Sequence, residues 1–212
     1  MEMNQGNKQI KRTWFRAFAT WLLKPVMHLL MDLEIIGLAN LPESGAAILA
    51  SNHISMYDAF ILQLCIPRAI FFMSKVENFK NPILGILMEQ LGSFPVERGT
   101  SDRGALQHAL GVLRAGEILG MFPEGTRTHG NGLVEAKTGT AHFAIRAKAP
   151  IVPVVLNGTE KVLTNLFRKA KVTLKILPSI WPREIEKASD LTYRLMNLIA
   201  EELPESKRGF YS

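Results

Sequence analysis

The sequence predicts an α/β fold: a single domain with a mixed, mostly parallel central sheet flanked by helices, preceded by an amphipathic helical segment. Three observations predict it. Short apolar runs that read as buried strands alternate with helix-patterned stretches from residue 33 onward. No internal repeat or long linker interrupts the alternation, so a sheet layered with helices is the simplest way to bury those runs. The length, 212 residues, suits one domain with a sizeable core. The expected division is an N-terminal segment over residues 1–32 and the domain over 33–212.

Composition narrows the class. Hydrophobic residues make up 47% of the chain and charged residues 21%, which is globular rather than disordered. The net charge of +6 and the pI near 9.5 point to nucleic acid, an anionic membrane face or phosphorylated substrates. No zinc spacing, base-stacking aromatic ladder or long basic run supports nucleic acid, so no nucleic-acid partner is expected. His53, His108, His129 and His142 are scattered without ligand spacing, so no metal site is expected either. The single cysteine, Cys65, excludes an internal disulfide framework and fits a reducing compartment. Its apolar helical setting suits a core residue better than a nucleophile.

Residues 1–9 are polar and expected to be loosely ordered. The apolar segment that follows lacks the small-residue cleavage site of a signal peptide. Residues 11–31 form the most apolar long stretch, but Arg16, Lys24, Pro25 and His28 break it, so it makes a poor transmembrane span. Trp14, Phe18, Trp21 and Leu22 share a helical face, with Arg12, Arg16 and Lys24 available to meet headgroups. That pattern suits a helix lying in a membrane interface; a helix packed on the domain's own core is the competing reading. Interfacial attachment implies a peripheral or monotopic protein on the cytoplasmic face of a membrane.

The domain starts with a short strand over 33–37. A Pro42/Gly45 turn leads to a buried strand over 46–50, and residues 59–64 open a helix. A second buried strand covers 69–73, closed by Ser74 and Lys75. Proline at a helix start is favourable, so 82–91 reads as a short helix, ended by Gly92. A brief extended run over 93–96 precedes a helix from 102 to 115, capped by Ser101 and stopped by Gly116. Residues 118–122 are another buried strand. The glycine-rich stretch 128–134 is expected to be mobile. A helix over 137–148 and a β-branched strand over 151–156 follow. Residues 171–177 alternate basic and apolar side chains, which predicts a sheet-edge strand with one wet face. An amphipathic helix over 190–203 comes last, with 204–212 expected to be loose.

Chemistry concentrates at predicted strand ends. His53 sits where the strand over 46–50 gives way to a helix, the place where α/β proteins put reactive side chains. Asp58 is five positions on, within reach if the connection curls back. A carboxylate on one imidazole nitrogen fixes the tautomer and leaves the other nitrogen as a general base. A buried histidine beside an N-terminal helix carboxylate would look the same, so the pair needs support from the rest of the chain. Val96-Glu97-Arg98-Gly99 and Phe122-Pro123-Glu124-Gly125-Thr126-Arg127 also leave strand ends. Each sets a guanidinium beside a glycine backbone. The guanidinium fork matches phosphate oxygens, and glycine lets backbone N–H groups approach closely. Lys75 and Lys137 could add charge to the same rim.

Together these segments resemble the glycerolipid acyltransferase family, specifically the 1-acylglycerol-3-phosphate (lysophosphatidic acid) acyltransferases. The family's Asn-His-x4-Asp motif is matched by Asn52 to Asp58, its aromatic run ending in acidic-Arg by Phe94 to Gly99, its Phe-Pro-Glu-Gly-Thr-Arg motif by Phe122 to Arg127, and its Val-Pro-Val strand by Val152 to Val154. Glu97 stands where many members carry Asp. The resemblance implies that His53, oriented by Asp58, takes the proton from the free sn-2 hydroxyl of a lysophospholipid, which attacks an acyl thioester and yields phosphatidic acid. It also implies that Arg98 and Arg127, with Glu124, Gly125 and Thr126, bind the acceptor phosphate, assisted by Lys75 and Lys137. No cofactor is implied beyond the co-substrate, acyl-CoA or acyl carrier protein. The same chemistry on another lysophospholipid or a lyso-aminolipid is the nearest alternative. A non-catalytic lipid-binding protein on a membrane surface is the alternative from another class, though such a module needs no base.

Overall fold

The computed structural model describes residues 14–90, 92–96, 103–162 and 168–212. Helix α1 (Trp14–Leu30) carries Pro25 in its interior and runs directly into strand β1 (Met31–Ile36). Strand β2 (Ala47–Ser51) leads to α2 (Asp58–Cys65), and β3 (Ile70–Lys75) to α3 (Pro82–Gln90). Next come β4 (Ser93–Val96), α4 (Arg103–Arg114), β5 (Ile118–Met121) and α5 (Gly139–Ala147). Strands β6 (Ile151–Asn157) and β7 (Ala170–Ile176) precede α6 (Ala188–Glu201).

The seven strands form one sheet in the order β1-β7-β6-β2-β5-β3-β4. Every pairing is parallel except β6 with β7. The α/β expectation therefore holds, with one antiparallel step in a mostly parallel sheet. Strand β2 lies at the centre, with Ile48 opposite Leu119 of β5 on one side and Ile151 of β6 on the other. All five of its residues are buried, as expected of a parallel strand covered on both faces. Alternate residues serve two cores. Leu49 joins Leu62, Ile70, Val154 and Leu174 on the face covered by α2, where Met27 and Leu30 of α1 also pack. Ile48 joins Leu110, Leu119, Ala144 and Leu195 beneath α4, α5 and α6. Among the described residues no helix is long and apolar enough to cross a membrane.

Three expectations are corrected. Strand β7 alternates buried and wetter residues as its sequence predicts, yet it is not an edge: β1 pairs along it from Met31–Ala170 to Ile36–Lys175. Side-chain alternation reports a half-wet face and is silent about which neighbours the backbone finds. The stretch 128–134 is held rather than mobile. Thr128 N–H donates to the His53 carbonyl at 2.9 Å, His129 N–H to Ile54 at 3.1 Å, and Leu133 N–H to Lys207 at 3.1 Å. Residues 204–212 are likewise ordered, as two short 3-10 turns, Glu205–Lys207 and Gly209–Tyr211. Phe210 N–H donates to the Leu133 carbonyl at 2.9 Å, and the Tyr211 hydroxyl accepts the Ala136 N–H at 2.9 Å. Loop and tail satisfy each other's backbone groups, a long-range pairing that local composition does not reveal.

Candidate active site

Three adjacent parallel strands, β5, β2 and β6, deliver the site from their C-terminal ends. Asn52 follows β2 and is almost fully buried. Its side-chain amide donates to the Leu156 carbonyl at 2.9 Å and accepts the Leu156 N–H at 2.8 Å, so a side chain supplies one more rung between β2 and β6. That rung fixes the backbone from which His53 departs.

The chain then curls so that Asp58, the first residue of α2, comes back to His53. Asp58 Oδ2 lies 2.9 Å from His53 Nδ1 and accepts the N–H groups of Ile54 at 2.7 Å and Ser55 at 2.8 Å. Its other oxygen accepts the Thr159 hydroxyl at 2.6 Å. Asp58 is fully buried, and the His53 side chain is 18% exposed. With Nδ1 committed to a carboxylate, Nε2 is the ring nitrogen left for a substrate proton. The imidazole lies flat on Phe122, centroids 4.0 Å apart and planes 15° from parallel, and Phe122 stacks in turn on Phe72.

The turn leaving β5 holds His53 from behind. Glu124 Oε1 accepts the His53 backbone N–H at 2.8 Å, and Oε2 accepts Val134 N–H at 3.1 Å. Burial pushes the Glu124 carboxyl above its ordinary range; the two N–H bonds pull it back, and nearby Asp58 pushes it further up. A carboxyl raised on folding favours the native state below the ordinary glutamate range and costs it stability above the raised value. Gly125 has φ +67°, a left-handed conformation that glycine adopts without strain, and the Lys137 side chain lies across it.

A cleft of about 430 Å³ opens beside His53. Phe60, Phe72, Met73 and Met88 give it an apolar wall, while Lys75, Gly125, Thr126 and Arg127 line its rim. Both cations are exposed. The expected site residues thus divide. His53, Lys75, Gly125, Thr126 and Arg127 meet at one cleft, with Asp58 directly behind His53. Glu124 stands behind the wall, its carboxylate turned to backbone N–H groups, and Lys137 lies beside the cleft against Gly125. Arg98, with Glu97 and Gly99, lies outside the described residues.

A strand-end histidine held by a buried carboxylate, facing a cleft with an apolar wall and a cationic rim, suits proton removal from an amphiphile carrying negative charge. The model of the family described as Acyltransferase matches residues 32–157, from β1 to the end of β6. The chain belongs to the acyltransferase family. It is 32% identical over 160 residues to a 1-acyl-sn-glycerol-3-phosphate acyltransferase of Bacillus subtilis, covering 75% of this chain and 79% of that one. A chloroplastic 1-acyl-sn-glycerol-3-phosphate acyltransferase of Arabidopsis thaliana is 34% identical over 134 residues, 62% of this chain but only 37% of its own length. In three dimensions the acyltransferase PlsC of Thermotoga maritima superposes with a TM-score of 0.76 at 22% identity, covering 92% of this chain and 81% of that one. This chain is accordingly an enzyme that transfers acyl groups.

Within this acyltransferase the sequence pattern points to His53, Asp58 and Glu124 but not to Thr159, which holds Asp58 from the β6 exit. Thr159 escaped notice because it is 101 residues from Asp58. The one available signal is the Asn157-Gly158 pair, a turn signature that puts the next residue at the rim where the β2 and β5 exits also emerge.

Proposed function

We propose that this acyltransferase moves a fatty acyl group from an acyl thioester to the free sn-2 hydroxyl of 1-acylglycerol-3-phosphate, giving phosphatidic acid. One observation carries the reading: His53, tied to buried Asp58, opens onto the same cleft as Lys75 and Arg127. The names of the Bacillus and Arabidopsis relatives supply the acceptor.

In this reading the acceptor phosphate meets Lys75 and Arg127, with Arg98 contributed on the strength of its motif. The acceptor's hydroxyl faces His53 Nε2, and the acyl chain takes the apolar wall. Nε2 accepts the hydroxyl proton as the oxygen attacks the thioester carbonyl. Asp58 accepts the Nδ1–H of the imidazolium that forms, whose ring lies on the face of Phe122. The tetrahedral oxyanion collapses with departure of the thiolate, whose weak basicity makes a strong second acid unnecessary. Glu124 braces His53 by its backbone rather than touching substrate. No covalent acyl-enzyme is needed. Holding two substrates beside one base contributes several kcal/mol of barrier lowering through orientation.

Helix α1 would bring the cleft to lipid. Trp21 and Leu29 are each 72% exposed, and Leu22 and Val26 are exposed with them, while Met27 and Leu30 pack inward. Such a face suits an interfacial helix at the cytoplasmic side of a membrane. The side chains of Trp14 and Phe18 lie outside the described residues.

The test is thiol release from an acyl thioester with and without lysophosphatidic acid, for wild type and His53→Ala. Acceptor-dependent release is expected, falling by about 100- to 10,000-fold in the variant. Near-normal release in His53→Ala would remove the base, and release indifferent to lysophosphatidic acid would remove the acceptor.

A further inference from the structure

We infer that Thr159 is a positioning residue of the acyl-transfer site, acting on His53 through Asp58; this rests on the general-base reading above. The two oxygens of Asp58 are treated unequally. Oδ2 receives the His53 ring nitrogen and two backbone N–H groups, all from residues 53–55. Oδ1 receives the Thr159 hydroxyl, from the turn that leaves β6. Rotation about the terminal side-chain torsion, which is broad for aspartate, carries both carboxylate oxygens, so contacts to Oδ2 alone leave a residual rocking that lengthens them. A donor on the second oxygen removes that freedom. It thereby fixes where the Oδ2 lone pairs point, and with them the His53 ring.

The donor is itself built in. Thr159 is fully buried, so solvent has no ready route to replace its hydroxyl. Facing a carboxylate, which has no proton to give, the hydroxyl must donate. The turn that carries it is held on two sides. Gly158 has φ +88°, and a Cβ there would stand 2.1 Å from the Lys171 carbonyl, so the chain passes β7 at a distance only glycine permits. Lys207 reaches from the 3-10 turn at Glu205–Lys207 to Asn157 Oδ1 and Glu160 Oε1, both at 2.8 Å, bracketing Thr159 in sequence. The Asp58 orientation is thus set from two directions: its own turn after β2, and the exit of the neighbouring strand β6.

The experiment compares wild type, Thr159→Val, Thr159→Ser, Asp58→Asn and Thr159→Val/Asp58→Asn, with steady-state kinetics on lysophosphatidic acid and an acyl thioester. Valine keeps the shape and removes the hydroxyl. It should lower kcat by about 10- to 100-fold, the size of one lost hydrogen bond to a charged group, with both KM values within about twofold of wild type. Serine, which keeps the hydroxyl, should return kcat to within a few-fold of wild type. The double variant should be no slower than Asp58→Asn alone, because the hydroxyl acts through the carboxylate. Wild-type kcat in a folded valine variant overturns the inference. So does an equal loss in the serine variant, or an additive loss in the double variant. Should the valine variant not fold, Thr159→Ala takes its place with the same outcomes, since it sets no methyl against the carboxylate. His53→Ala measured alongside separates the two levels. If it remains active, the base assignment fails; if it is inactive while Thr159→Val turns over normally, only the role of Thr159 fails.

Discussion

The two ends of the sheet are closed by side chains of opposite hydrogen-bonding sense, a donor at one and acceptors at the other. At the N-terminal ends of β2, β5 and β3 a single buried cation gathers carbonyls. Arg68 is 7% exposed and donates to Pro42 at 2.9 Å, Gly45 at 2.7 Å and Gly116 at 2.8 Å, in turns that enter or flank those strands. At the C-terminal ends two buried carboxyl groups gather N–H groups instead: Asp58 those of Ile54 and Ser55, Glu124 those of His53 and Val134. The difference follows from chain direction, since turns entering the strands present carbonyls here and turns leaving them present amides. It also decides which cations remain for a ligand. Because carboxylates close the outgoing rim, Lys75 and Arg127 are not consumed in holding it and stand on the cleft wall. Residue type alone would not separate Arg68 from Arg127; the end of the sheet does.

The contrast breaks most readily at Arg68. Arg68→Ala leaves three carbonyls without their donor and should cost about 3 kcal/mol of stability, measured by urea unfolding, with kcat per folded molecule within about twofold of wild type. A comparable loss of kcat would mean that the two rims are not independent. Arg127→Ala should do the reverse. The apparent KM for lysophosphatidic acid should rise about tenfold, while the KM for the thioester and the unfolding midpoint stay close to wild type. Equal rises in both KM values would argue against a phosphate contact. The smallest effect is expected at Cys65, which ends α2 three residues before Arg68. Burial pushes its thiol up to about 11, with Lys24 pulling weakly the other way. Against an ordinary thiol at 9.0 that is a roughly hundredfold smaller thiolate fraction at pH 8, so alkylation by iodoacetamide should be slow in the native protein. Arg68→Ala should speed it a few-fold by loosening the incoming rim, and Arg127→Ala should leave it unchanged. Identical rates in all three proteins would show that Arg68 does not hold that corner.

What the sequence disclosed was local. The apolar run ending at Ala50 and the Asn-His-x4-Asp spacing together located the His53–Asp58 contact, because a strand end followed by a tight curl brings positions five apart together. The helices over 103–114, 139–147 and 188–201 lie within two residues of where periodicity set them, at one end or both. What it hid was pairing between distant segments. Nothing in residues 31–36 says that they lie beside 170–175 and so displace β7 from the edge. Nothing in the glycines of 128–134 says that Lys207 and Phe210 will satisfy the backbone of Leu133. Glu124 illustrates the limit of a motif: Phe-Pro-Glu-Gly-Thr-Arg marks it as part of the rim, but the direction of its carboxylate depends on where the N–H groups of residues 53 and 134 come to rest.

The parallel stack of His53 on Phe122 gives the molecule a built-in reporter. Protons of an imidazole lying over a phenyl face are shielded by its ring current, so the His53 resonances should appear upfield of those of an ordinary histidine, together with those of His108, which stacks on Phe94 with centroids 4.1 Å apart. The His53 signals are the ones lost in His53→Ala. Any ligand that tilts or lifts the ring must move them. Occupancy of the cleft can therefore be followed by magnetic resonance in the intact protein, without turnover and without a label.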